Sequence, residues 1–389
     1  MILSILLMGC PQPQPAYECK ANPSWISQPQ QPSDVADGES FCDFYQFGWQ
    51  WFLAQTSPNT SNTERVFEMQ RVFHPGETNQ CSMEIEKGRK TNVSQISPRI
   101  MKTDLEDIQA DGHTLYDQNG NILFYNIWYS EASCHATNTS FVPGTFEIKA
   151  SWMKIDEKRE DMFVIDSGDG LLGMVGFHMA IWTPKHHEML WYSWEHKDNA
   201  PLCDGTSPIK KYHFTSEAAS ECLTKKGGCT EYEFNKPTSF KDTPPITGKP
   251  NEVCRVFKNG NQSGKSINGN DNALNGKVID ELNEQLVGEA GYLTLLSDKN
   301  PMKVWSNYKM IGGIWTKDGK DSDGSPVPHK GGEADKNSYQ RGSLELTNTS
   351  METFEQGSTS AVPNCFGCHD YSSKKELDVS HIFTDLRSK

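Results

Sequence analysis

Eleven cysteines in a chain of 389 residues limit what this sequence can fold into more than its length or polarity does. A reducing cytosol gives so many thiols no cross-linking role, whereas an oxidising compartment lets them staple a fold. Two of them belong to Cys365-Phe366-Gly367-Cys368-His369, and Cys-x-x-Cys-His is the attachment motif of c-type haem. The two thiols add across the haem vinyl groups. Their spacing lets both reach one porphyrin edge, and the adjacent imidazole turns onto the iron. A thioredoxin-like redox pair would sit in a βαβ setting, and a zinc site would need further Cys or His at ligand spacing. Neither accompanies the motif. Cys365, Cys368 and His369 are therefore the expected haem-binding residues, with His369 the proximal iron ligand and one covalent haem c the expected cofactor.

The other cysteines divide by position. Cys10 ends Leu7-Met8-Gly9-Cys10 after an apolar run, which resembles the bacterial lipobox whose cysteine is acylated after cleavage. Residues 1–10 are accordingly read as a signal segment. Residues 11–36, rich in Pro, Gln and Ser, are read as a linker that starts with the stiff Pro11-Gln12-Pro13-Gln14-Pro15. No Lys or Arg precedes the apolar run, unlike the basic start of a secretory leader, so an ordinary cleaved signal is the alternative. Setting Cys10, Cys365 and Cys368 aside leaves eight cysteines. Eight can form four disulfides in any of 105 connectivities. Cys222 and Cys229, across Gly227-Gly228, are the one pair that sequence proximity favours.

Composition narrows the class. Aromatic residues make up 10% of the chain, too many for a disordered protein and enough to fill a core. The longest internal apolar stretch, residues 171–182, is interrupted by His178 and falls short of the roughly 20 residues a membrane helix needs. A net charge of −14 disfavours nucleic acid. The expectation is an exported protein, periplasmic or an outer-membrane lipoprotein of a Gram-negative bacterium, touching membrane only through a lipid anchor at Cys10.

Periodicity predicts a mainly β protein with a few short helices and a β-sandwich-like core spanning residues 37–346. A helix is expected over 40–55, where Phe41, Phe44, Tyr45, Gly48, Trp49 and Phe52 share one face. Strands are expected over 122–129, 145–153, 174–182, 188–194 and 304–316, and a second helix over 277–287. Residues 203–275 read as a disulfide-stapled insertion. Thr349-x-x-Glu352 has the form of a capping box that starts a short helix. Residues 347–389 form the haem-attachment segment. About forty residues cannot bury a macrocycle alone, so this segment should pack on the β-rich domain.

A sixth iron ligand would make the haem an electron carrier, whereas an open distal side would permit oxygen or peroxide chemistry. His381, in Val379-Ser380-His381-Ile382-Phe383, is the first candidate. His178, His196, Met351 and Met179 are the others. Glu195 with His196 is a candidate acid/base pair, and Trp191 and Trp194 could line a pocket or relay electrons. Adjacent residues on a strand point to opposite faces, which weighs against that pair.

The runs Gly173-Met-Val-Gly176-Phe-His178 and Trp191-Tyr-Ser-Trp-Glu195-His196 resemble an uncharacterised group of proteobacterial mono-haem cytochrome c family proteins. So do Tyr308-Lys-Met-Ile-Gly312, Leu346-Thr-Asn348 and the closing Asn364-Cys365-Phe-Gly-Cys368-His369. The matching stretches are spread over residues 41–383. The resemblance implies haem c and export and gives no substrate. Electron transfer with redox partner proteins of the periplasm or cell surface is the reading favoured by these residues. A haem-dependent oxidoreductase, peroxidase-like or a dehydrogenase, is the alternative, and a binding module with an incidental haem is the third.

Overall fold

Apolar runs rich in aromatic and β-branched residues become strands here because both faces of the central sheet are covered. The computed structural model describes residues 18–59, 64–74, 77–83, 97–98, 113–168, 170–238, 245–262, 266–267, 269–317, 340–357, 364–369 and 376–387. Cys10 and the rest of the expected signal segment lie outside them. The chain opens with helices α1 (Ser24–Ser27) and α2 (Phe41–Thr56). Strands β1 (Arg71–Val72), β2 (Ser97–Pro98), β3 (Phe124–Tyr129), β4 (Phe146–Ile155), β5 (Val164–Asp166), β6 (Leu171–Thr183) and β7 (His186–His196) follow. Next come α3 (Glu217–Leu223), the hairpin β8 (Ser266–Ile267) and β9 (Asn270–Asp271), and α4 (Asn272–Val287). Strands β10 (Tyr308–Thr316) and β11 (Gln340–Gly342) precede the short helices α5 (Cys365–Cys368) and α6 (Phe383–Leu386).

Nine of the strands form one antiparallel sheet in the order β1-β3-β4-β6-β7-β10-β11, with β2 beside β3 and β5 beside β6. The chain is thus mainly β with few helices, as its periodicity predicts. The layer across from the sheet is helical, where a sandwich would place a second sheet. Helices α2 and α4 supply that layer because each carries an apolar face long enough to cover several strands. Phe44, Trp49 and Phe52 of α2 and Val278, Ile279 and Leu282 of α4 pack on Ile148, Phe177, Leu190, Tyr192 and Trp194. Each such side chain contributes roughly 1.5–3 kcal/mol by leaving water. Helix α2 starts at a capping box in which Ser40 and Asp43 bond each other's backbone N–H. It lies close on the sheet at Gly48, where a Cβ would stand 2.6 Å from the Tyr192 ring. Helix α4 begins earlier than its apolar pattern suggests, because Asp271 accepts from the Leu274 N–H and caps a polar first turn.

The eight cysteines other than Cys10, Cys365 and Cys368 are all paired: Cys19–Cys42, Cys81–Cys134, Cys203–Cys254 and Cys222–Cys229. The favoured neighbour pair is among them. From residue 18 onward the stretch read as linker is fastened to the fold. Its Cys19 is bonded to α2, Ala21 and Val35 are buried, and the Gln285 side chain of α4 bonds Cys19 and Ala21. No helix among the described residues is long and apolar enough to cross a membrane.

The second face of the sheet positions the site. Register places Tyr129, Glu147, Ala180 and Trp191 in one row across β3, β4, β6 and β7, and Ile127, Lys149, His178 and Ser193 in the next. A third row holds Tyr125, Ser151, Gly176 and Glu195. These rows are far more polar than the helix-covered face. The C-terminal segment lies over them, with Phe366, Leu377 and Val379 packed against Trp182, Trp191 and Ile311. It is held by buried polar contacts as well. Glu195 accepts from the Arg255 guanidinium and from the N–H and hydroxyl of Thr349. Those contacts occupy Thr349, so Asn348 and Glu352 close the turn instead, the Glu352 carboxylate accepting from the Asn348 N–H at 2.9 Å. The expected capping box therefore produces a turn and no helix.

Candidate functional site

One short helical turn presents the Cys-x-x-Cys-His motif. Asn364 caps α5 by accepting from the Phe366 N–H at 3.0 Å, and its own amide donates to Leu344 O at 2.7 Å. Phe366 is fully buried and anchors the turn to the sheet. Three residues apart on a helix, Cys365 and Cys368 share a face. Neither is in a disulfide, although every other described cysteine is. Burial pushes the Cys365 thiol above its ordinary range, the reverse of what an activated redox thiolate requires.

The His369 ring rests on Trp191, with centroids 4.3 Å apart. Its Nδ1 lies 2.9 Å from Val379 O. The N–H on Nδ1 donates there, which leaves Nε2 with its lone pair, and Nε2 makes no hydrogen bond among the described residues. Burial holds the imidazole well below its usual pKa. A neutral imidazole with one nitrogen tied to a backbone carbonyl is the form in which histidine binds metals.

Beside this turn a cavity of about 330 Å³ opens between the segment and the sheet. The first two rows of the polar face form its floor through Ile127, Glu147, Lys149, His178, Ala180 and Trp191. Its other wall is Glu352, Cys368, His369, His381 and Ile382. Three histidines thus line one cavity, His178 from a strand distant in sequence from the other two. His178 Nε2 lies 3.3 Å from Ser193 Oγ and 3.5 Å from Glu352 Oε2. Burial lowers His178 to about 3, which keeps the imidazole neutral, and raises Glu352 to about 7. Glu147, which accepts from the Ser380 hydroxyl, is likewise raised to about 7 by burial. The His381 ring stacks on His369, centroids 4.0 Å apart and planes 20° off parallel, and its Nε2 lies 3.0 Å from Cys368 O.

The remaining candidates fall elsewhere. Glu195 and His196 point to opposite faces, Glu195 to Arg255 and Thr349, and His196 Nε2 to Asp161 O at 2.9 Å. They do not form an acid/base pair. Met179 is in the core under the helices, and Met351 is buried with Val175 and Phe214. Trp191 lines the cavity, whereas Trp194 stacks on Phe52 at 4.6 Å on the helix side. Sequence reasoning passed over Glu147 and Lys149 and read Glu352 only as part of a helix cap. The alternation Glu147-x-Lys149-x-Ser151 inside an otherwise apolar strand is the signal that marks the polar face.

The donors fit a covalently held haem. Two thiols outside any disulfide share a helical face, a neutral histidine has one nitrogen fixed by a carbonyl, and a cavity adjoins Cys368 and that histidine. A larger cleft of about 800 Å³, lined by Arg65, Arg159, Asp161 and Lys303 among others, contains none of these donors. The chain matches no protein-family model, no curated protein and no solved structure with which it was compared.

Proposed function

We propose that this chain is an exported mono-haem c-type cytochrome that transfers single electrons. The observation that carries the reading is His369: its Nδ1 is bonded to Val379 O and its Nε2 is left for a metal, one residue from a pair of cysteines outside any disulfide. Haem supplies reversible one-electron chemistry when bound. The protein's part is to hold Cys365 and Cys368 on one helical face for thioether attachment and to fix the His369 tautomer. Trp191 and the sheet rows beneath exclude water from one side of the site. Four disulfides support an oxidising compartment. The resemblance to proteobacterial mono-haem cytochromes and the lipobox-like Cys10 agree with export, with a lipid tether, and with periplasmic or surface redox partners.

Expression with a haem-ligation system should give a coloured protein whose haem stays with the polypeptide through denaturing electrophoresis. Cys365→Ala with Cys368→Ala should release it. A colourless wild-type protein refutes the reading. One observation favours a haem oxidoreductase as the second reading: His178, Glu352 and Lys149 place proton-handling groups in the same cavity. Rapid carbon monoxide binding by the reduced wild type, together with peroxide turnover, would select it.

A further inference from the structure

We infer that His178, from the sheet, and not His381, is the second axial ligand opposite His369. The inference rests on the cytochrome reading above and specifies its iron site. Two imidazoles that bind one metal from opposite sides each point a nitrogen at it, with metal–nitrogen bonds of about 2 Å, and the macrocycle lies between them. His381 does not stand in that relation to His369. The two rings lie face to face with centroids 4.0 Å apart, which leaves no space for a macrocycle between them. His381 is also exposed, and its Nε2 is held 3.0 Å from Cys368 O, on the turn that carries the attachment cysteines. It sits beside the proximal ligand.

His178 comes from the other wall. Register places it on β6 between Lys149 and Ser193, on the sheet face that the C-terminal segment covers. It lines the same cavity as His369. Its one hydrogen-bonding neighbour, Ser193 Oγ at 3.3 Å, lies on Nε2, with Glu352 Oε2 near the same nitrogen at 3.5 Å. The other, Nδ1, makes no hydrogen bond among the described residues. A hydrogen bond at one nitrogen with the second left over is the arrangement that orients metal-bound histidines. Neither partner is incidental. Glu352 is fixed by the Asn348 N–H, and Ser193 Oγ accepts from the Asn348 amide at 3.0 Å.

The test is the optical and electron paramagnetic resonance spectrum of the haem-loaded full chain. Wild type should be low-spin in the ferric state and slow to bind carbon monoxide when reduced. His178→Ala should turn high-spin, bind carbon monoxide at least tenfold faster, and return to low-spin on adding imidazole. His381→Ala should keep the wild-type spectrum. A high-spin His381→Ala beside a low-spin His178→Ala overturns the inference, as does a wild type that is already high-spin. If His178→Ala does not accumulate, His178→Met supplies a thioether in its place and should raise the reduction potential. An unchanged potential and spectrum in that variant would overturn the assignment. A wild type without covalent haem instead refutes the cytochrome reading itself.

Discussion

Replacing Glu195 by Leu tests whether the polar face of the sheet is a structural clamp or part of a reaction site. The Glu195 carboxylate, 3% exposed, accepts from the Arg255 guanidinium, which is 6% exposed, and from the Thr349 N–H and hydroxyl at 2.5 and 2.6 Å. Removing it strands a buried cation and two buried donors. Breaking a buried ion pair by deleting one partner costs about 3–5 kcal/mol, chiefly because the surviving charge has no compensation. Glu195→Leu should therefore lose about that much in urea unfolding. Thr349→Val, which removes one hydroxyl and leaves the ion pair, should lose about 1 kcal/mol. Combining Glu195→Leu with Arg255→Leu should recover a large part of the loss, since the unpaired charge then goes too. A Glu195→Leu loss below about 1 kcal/mol, or a double variant less stable than the single one, would refute the clamp. A role in acid/base chemistry would then have to be reopened.

Three further outcomes follow from packing, cross-links and titration. Gly48→Ala should cost about 1–3 kcal/mol although alanine is the better helix former, because its Cβ would meet a Tyr192 ring whose hydroxyl is bonded to Phe44 O; an unchanged melting temperature would contradict this. Loop-closure entropy makes the Cys203–Cys254 bridge, with a separation of 51, worth about 4 kcal/mol, and the Cys222–Cys229 bridge, with a separation of 7, about 2 kcal/mol. Denaturation of the two double-alanine variants should rank them in that order. His196 and His213, with rings 4.8 Å apart, are both held neutral by burial, His196 down to about 4. Their folded values lie below the unfolded one of about 6.5, so the unfolded chain takes up protons first as pH falls. Stability present above about pH 6.5 should then decline toward about pH 4, and urea midpoints that do not fall across that window would exclude the effect.

What could be read without the structure was local or periodic. The helix over 40–55 was legible because its aromatic face lies within sixteen residues. Strands β3, β4, β6, β7 and β10 were legible from apolar runs bounded by turns. Cys222–Cys229 was legible because a seven-residue separation across two glycines needs no knowledge of the fold. Polar first turns hid the start of α4. The Thr349-x-x-Glu352 pattern misled because Glu195, more than 150 residues earlier, takes both Thr349 donors.

The sequence alone determined the Cys-x-x-Cys-His turn, since Cys365, Cys368 and His369 owe their arrangement to a single turn of chain. Only the tertiary structure decided what stands around that turn. Strand register brings Glu147, Lys149 and His178 under His369, and register is a property of four strands pairing at once. It also separates Glu195 from His196 across the sheet and moves Met179 to the helix-covered face, while the fold of the C-terminal segment sets His381 against the His369 ring. Contacts inside one turn follow from bond geometry and spacing. Contacts between strands depend on which long-range pairing buries the most apolar surface while satisfying the polar row beneath it, and no single segment carries that information.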